Sequence, residues 1–186
     1  MSWGAVNTSR ELADLCAAVA AGSRTSGKPG VVHIHIGADP ACLDLVEEVV
    51  TRHGVPPGLL TLTHVNWNPA VLERSIELAG LGVNLDVTAC ITPDYFAGTV
   101  APELALKTLV TRVPLDQPTA SSDSGGSHPD GDRLVVHTPG LLLDVALRCL
   151  ADGYLTAQEV AGVFAENPGP PQRLHCRRPG RARGSW

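Results

Sequence analysis

The sequence predicts an α/β fold, a partial (β/α)8 TIM-type barrel made of four strand–helix units. Three observations carry that prediction. Short apolar strands alternate with helix-forming stretches along most of the chain. Two of these strands, VVHIHIG and LLTLTHV, read as short buried strands of the kind found in parallel sheets. Each carries a histidine near its carboxyl end (His35 and His64), where α/β barrels and open α/β sheets place their chemistry.

The elements follow in order. Thr8-Ser-Arg-Glu11 is a capping-box pattern that opens a helix running to about Ala21. Gly27-Lys-Pro-Gly30 is a turn ahead of VVHIHIG. Asp39-Pro40 supplies a cap and a first-turn proline for a helix that continues through LDLVEEVVTRH to Gly54. Pro56-Pro57-Gly58 turns the chain into LLTLTHV, and Asn68-Pro69 repeats the cap-plus-proline start for VLERSIELAG. VNLDVTA is a third strand, with Val83, Leu85 and Val87 alternating against Asn84, Asp86 and Thr88. A helix covers 101–112, and a fourth strand falls near Pro118–Ser122, where Pro118 conflicts with a central position because it has no N–H. Helices close the pattern at about 140–152 and 156–166, the second opened by the capping box Thr156-Ala-Gln-Glu159.

Composition narrows the function classes. A chain of 186 residues with 44 % hydrophobic and 18 % charged residues predicts one globular domain over 1–167, followed by a tail at 168–186. The net charge of −5 gives no support for nucleic-acid binding. No apolar run approaches the roughly 18–20 residues that cross a bilayer, so no membrane partner is expected. MSWGAVNTSRELAD lacks the basic and apolar regions of a secretory signal, and a cytoplasmic location is expected. Cys16, Cys42, Cys90, Cys149 and Cys176 form no CxxC pair and read as reduced, mostly buried thiols. The tail, PGPPQRLHCRRPGRARGSW, holds five arginines and no acid, and is expected to be disordered. Its abrupt change of composition also fits an altered reading frame after AENPG.

The candidate chemistry lies in three places. His33 and His35 share one sheet face, because side chains alternate along a strand. His64 follows LLTLT, and Asp123 sits in the polar, glycine-rich run SSDSGGS. Two imidazoles and a carboxylate suit zinc or a similar divalent ion. Taken singly, each has an ordinary structural role as a hydrogen-bonded strand end or an Asx turn. Recurrence at successive strand ends favours a shared site, because a barrel converges those ends on one mouth.

HIHIGADP, THVNWNP and SSDSGGSHP, in this order and spacing, resemble the second half of the isoaspartyl (β-aspartyl) dipeptidases of the amidohydrolase superfamily. GKPGVVHIHIG and LERSIELAGLGVNLDVTACI fit the same resemblance, which runs from about Thr8 to Pro168. It implies barrel strands five to eight, zinc-dependent hydrolysis of β-aspartyl dipeptides, and two zinc ions in intact family members. By motif, His35 is implied as the strand-five ligand and His64 as the strand-six ligand. Asp123 is implied as the strand-eight ligand and general base, and Ser127 as a substrate contact. The family motif gives His33 and His128 no metal role.

The chain also departs from the family. Nothing matches the first-strand HxH pair or the strand-four bridging carboxylated lysine, since Lys28 and Lys107, the only lysines, lie in a turn and a helix. One zinc or none is therefore expected, with little activity from the chain alone. The alternative is a catalytically inactive fragment or an interaction module. Reading HIHIG instead as a first-strand pair requires a lysine at a later strand end, and there is none. Trp67, and less directly Trp3, stand where family members carry substrate-binding arginines, and tryptophan lacks the donor fork that grips a carboxylate. A half barrel is expected to expose strand edges and an apolar inner face. Self-association or a separately encoded first half are the partners this implies, beside the dipeptide substrate.

Overall fold

The computed structural model describes residues 8–124, 127–130 and 133–168, with the backbone alone for 127–130 and 133–135. Trp3 and the tail beyond Pro168 lie outside the described residues.

The helix α1 (Ser9–Ser26) precedes three β–α–β crossovers: β1 (Val32–His35), α2 (Asp44–Thr51), β2 (Leu60–Thr63), α3 (Pro69–Ala79), β3 (Asn84–Thr88), α4 (Pro102–Arg112) and β4 (Pro118–Ser121). The four strands form one parallel sheet in the order β1-β2-β3-β4. An antiparallel hairpin follows, β5 (Ser127–Asp130) with β6 (Arg133–Val136), and then α5 (Gly140–Ala151) and α6 (Ala157–Ala161). Sequential parallel strands with helical crossovers are the architecture of a partial (β/α) barrel. No helix among the described residues is long and apolar enough to cross a membrane.

Strand register sorts the side chains onto two faces. Val32, Ile34, Leu60, Leu62, Leu85 and Val87 project to one face, where they join a single core with Leu12, Val46, Val71, Leu78, Leu106 and Val145 from five helices. Burying that face supplies the main driving force for the fold, at about 25 cal/mol per Å² of apolar surface. The opposite face is polar. His35, Thr63, Asp86 and Thr119 lie in one row across all four strands, and Thr88 and Ser121 form the next row toward the carboxyl ends.

That polar face corrects an expectation. The face away from the helices does not present the apolar side chains expected of half a barrel; it presents imidazoles, hydroxyls and a carboxylate. β3 is accordingly buried on both sides, so Asp86 and Thr88 are interior residues at 2 % and 0 % exposure. Pro118 is accommodated because it starts an outer strand, where no further strand needs its missing N–H.

Boundaries shift elsewhere for local reasons. The first helix passes Ala21 and stops at Gly27, whose φ of 67° suits a left-handed cap. Asp39 caps as expected, accepting from Ala41 N at 3.0 Å, but the first turn, Pro40–Leu43, is 3-10 before α2 begins. The last helix splits into α6 and a π-helical turn, Gly162–Glu166. Cys16, Cys90 and Cys149 are buried free thiols, whereas Cys42 is exposed.

Candidate active site

The site lies on the polar face at the carboxyl ends of the parallel strands. His35 is the last residue of β1, His64 follows β2 directly, and Asp123 lies two residues past β4. His35 Nδ1 and His64 Nε2 are 2.8 Å apart, so the structure brings these two rings together. The His33 ring lies beside them, tilted by 40° to that of His35 with centroids 5.7 Å apart. Asp123 is exposed, and its Oδ2 accepts a long contact of 4.0 Å from the Cys90 thiol. The side chain of Ser127 lies outside what the structure describes.

Backbone conformation explains how His64 reaches this face. Thr63 faces the polar side, so an extended residue 64 would point toward the helices. Instead His64 has φ of 71°, and this left-handed turn returns the ring to the polar side. Asp123 has φ of 49°, and these are the only non-glycine residues with positive φ among those described. Such a conformation costs a residue with a Cβ about 1–2 kcal/mol and persists where the surroundings over-determine it.

The surroundings of His64 do so through side chains aimed at backbone. Asn66, fully buried, donates to the carbonyls of Thr88 (3.1 Å) and Ile91 (2.9 Å) and accepts from Thr88 N (3.0 Å). Trp67 donates its indole N–H to Ile36 O at 2.9 Å and packs edge-on against Phe96. Asn68 caps α3 by accepting from Val71 N (2.9 Å), while its amide donates to Ala38 O (2.7 Å). The loop after β2 is thereby tied to the loops after β1 and β3. Trp67, at the position the resemblance assigns to arginine, acts here as an apolar brace with its one donor already committed.

A hydroxyl network lies beneath His64. Asp86 accepts from Thr63 and Ser121 at Oδ2, both at 2.6 Å, and from Thr119 at Oδ1 at 2.9 Å. Thr63 Oγ1 is 3.3 Å from Thr88 Oγ1, which lies 2.8 Å from His64 Nδ1. Sequence reasoning missed this cluster. The alternation Asn84-x-Asp86-x-Thr88 was its signal, but alternation marks only the polar side of a strand and not what that side meets.

Burial holds His64 below the ordinary imidazole range, and His35 pushes the same way, against the opposing pull of Asp123 and Asp86. A neutral imidazole is the ligand form for a metal. Two ligands on one tetrahedral zinc, at roughly 2.0–2.1 Å each, stand about 3.3 Å apart. The observed 2.8 Å therefore needs only a small opening of the two rings. The imidazole pair fits a divalent ion, but it is only part of a site. Among the described residues no group of three or more His, Cys, Asp or Glu side chains is arranged to hold one. Neither lysine reaches the face: Lys28 lies in the turn after α1, and Lys107 on α4 sits over the Tyr154 ring at 5.4 Å.

No family model matches the chain. Among solved structures it is similar to a β-aspartyl dipeptidase from the thermophilic, keratin-degrading Fervidobacterium islandicum AW-1 in complex with a β-Asp-Leu dipeptide. That similarity has 27 % identity and a TM-score of 0.73, over 87 % of this chain and 42 % of the other. A second structure of β-aspartyl dipeptidase from the same organism matches at 25 % identity and TM-score 0.73, over 87 % and 41 %. The chain thus spans about two-fifths of the length of the structures it matches. The likeness is a distant homology to the amidohydrolase superfamily.

Proposed function

We propose that this chain forms part of the active site of a metal-dependent amidohydrolase of the β-aspartyl dipeptidase type, corresponding to barrel strands five to eight. The observation that carries this reading is the meeting of His35 and His64 at adjacent strand ends, with His64 held in a left-handed conformation. The distant similarity to β-aspartyl dipeptidase supports the choice of substrate class. His35 would ligate through Nδ1 and His64 through Nε2, with Asp123 as a carboxylate ligand and Ser127 as a substrate contact. A bound zinc would polarise the scissile carbonyl and make water a nucleophile near neutral pH. Asp123 would take the proton from the attacking water and deliver it to the leaving amine.

A complete site needs further ligands, which barrel strands one to four or a second copy of the chain would supply. A second reading is a catalytically inactive module that keeps part of the fold. Trp67 favours it, because its indole is braced against Ile36 O and offers a substrate carboxylate no cationic fork.

The deciding experiment measures zinc content, hydrolysis of β-Asp-Leu and sedimentation on one preparation. Turnover that disappears in His64→Ala supports the hydrolase reading. Less than one zinc per chain and no turnover, in monomer and oligomer alike, supports the inactive module.

A further inference from the structure

We infer that Asp86, acting through Thr63 and Thr88, sets the tautomer of His64, keeping the ring proton on Nδ1 and leaving the Nε2 lone pair free on the face shared with His35. The consequence for metal binding rests on the reading of His35 and His64 as ligands. The tautomer itself does not. Asp86 acts as a positioning residue, since it touches neither His35 nor His64 directly in the hydrogen-bond network.

Hydrogens along this chain can be placed one by one. A hydroxyl donates once. Thr63 donates to Asp86 Oδ2 at 2.6 Å, so toward Thr88, 3.3 Å away, it acts as acceptor. With Thr88 giving its proton to Thr63, every contact of the chain holds one hydrogen, and toward His64 Nδ1, at 2.8 Å, Thr88 then accepts. The ring nitrogen facing Thr88 thus carries the hydrogen. A neutral imidazole has only one N–H, so Nε2 is left as an acceptor, and the 2.8 Å contact with His35 is donated by His35 Nδ1. Every member of the chain between carboxylate and ring is buried, with Thr63 and Asp86 at 2 %, Thr88 at 0 % and His64 at 7 % exposure. Water does not compete for these protons there.

Two further hydroxyls, Ser121 and Thr119, also donate to Asp86 and hold it as an acceptor. Turning the last bond around would leave no hydrogen between Thr63 and Thr88, since that of Thr63 is held by Asp86. With the polarity reversed, Thr88 would donate to Nδ1 and the ring proton would sit on Nε2, blocking the nitrogen that faces His35. Outer partners that orient a ligand imidazole in this manner typically change metal affinity by about 10- to 100-fold.

The test is long-range proton–nitrogen NMR of the 15N-labelled full chain, stripped of metal, at a pH of about 8, above the ordinary imidazole range. In the unmodified chain, Nδ1 of His64 should resonate as the protonated nitrogen, with the Nδ1–H form in at least about tenfold excess. Thr88→Val, close to threonine in shape but without the hydroxyl, should lower that ratio at least tenfold, and Thr88→Ser should restore it. Asp86→Asn, which places an N–H donor at the base of the chain, should also lower it and covers the case in which Thr88→Val does not fold. A purely structural role for these residues would change the unfolding midpoint and leave the ratio unaltered in the folded variants.

Calorimetric titration with zinc gives the second measurement. Affinity should fall about 10- to 100-fold in Thr88→Val and recover in Thr88→Ser. The proposal is overturned if the unmodified chain carries the His64 proton on Nε2, or if the ratio is unchanged in folded Thr88→Val and Asp86→Asn. Absence of zinc binding in the unmodified chain would remove the ligand reading, while the NMR ratio would still decide the relay.

Discussion

His64 and Asp123, two strands apart in the sheet, share the left-handed backbone that no other described non-glycine residue adopts, with φ of 71° and 49°. Both stand at carboxyl ends of parallel strands, where a side chain can leave the strict alternation of the pleat. Local strain and candidate chemistry therefore coincide at two independent positions.

The strain at Asp123 predicts an inverted order of substitutions. Asp123→Gly should be more stable than Asp123→Ala by about 1 kcal/mol, because only glycine enters the left-handed region without a Cβ penalty. Urea denaturation of the two variants checks this. Equal stabilities, or Ala the more stable, would contradict the left-handed turn.

Removing the acceptor at the centre of the polar face should be costly. Asp86→Ala leaves Thr63, Thr119 and Ser121 without their common partner. A loss of at least about 2 kcal/mol is expected, since one buried unsatisfied group already costs about 1–3 kcal/mol. A change within about 0.5 kcal/mol would show that water reaches these hydroxyls.

The depressed affinity of His64 for a proton makes folding pH-dependent. Between the folded-state pKa and the ordinary imidazole value, the unfolded chain binds more protons, so stability rises with pH there. The contribution is complete above about pH 6.5 and is lost as pH falls through the folded value. Stability measured from neutral pH downward should fall more steeply for the unmodified chain than for His64→Gln. Parallel curves would refute burial as the cause.

Trp67 offers a gain-of-function test. Trp67→Phe should cost about 1 kcal/mol, the worth of the hydrogen bond to Ile36 O. Trp67→Arg adds a cationic fork and should tighten binding of β-Asp-Leu by about tenfold, equal to one charge-assisted bond. Urea denaturation reads the first change, and titration calorimetry with β-Asp-Leu reads the second. Unchanged affinity would separate this position from the substrate carboxylate.

Thiol reactivity should follow burial. Burial, helped by Asp123, pushes the Cys90 thiol up to about 11, and burial first, then Glu103, takes Cys149 to about 11 as well. Alkylation followed by peptide mapping should label exposed Cys42 in the folded chain, and Cys16, Cys90 and Cys149 only after unfolding. Rapid labelling of Cys90 would mean that the face beside Asp123 is open.

Much of the fold was legible in the sequence because its punctuation is local. Thr8 and Thr156 form the capping boxes their patterns predict, and Asn68-Pro69 starts α3 through a side chain–backbone bond three residues long. The three apolar strands and the histidines at two of their ends could be read from period alone. The inner face could not. Alternation in VNLDVTA says that Asp86 and Leu85 point to opposite sides, but not that both sides are interior, which depends on strands far away in the chain. Nor does a pattern of residue types reveal that His64 turns back through a left-handed φ. The hairpin at 127–136 was missed because its glycine-rich approach reads as a turn. The sequence brought His35, His64 and Asp123 forward together. Among the described residues the structure pairs the two histidines and puts Asp123 in contact with Cys90, and no group of three ligating side chains is assembled there.

The side-chain bonds of Asn66, Trp67 and Asn68 end on main-chain carbonyls or amides. Main-chain groups are the same whatever side chain a position carries. The bracing of this loop therefore makes no use of the side chains at positions 35, 64 and 123. Bracing and reactive groups are separate residues here, so a protein engineer could rewrite the three positions for another ion or another reaction within the left-handed backbone that positions 64 and 123 impose.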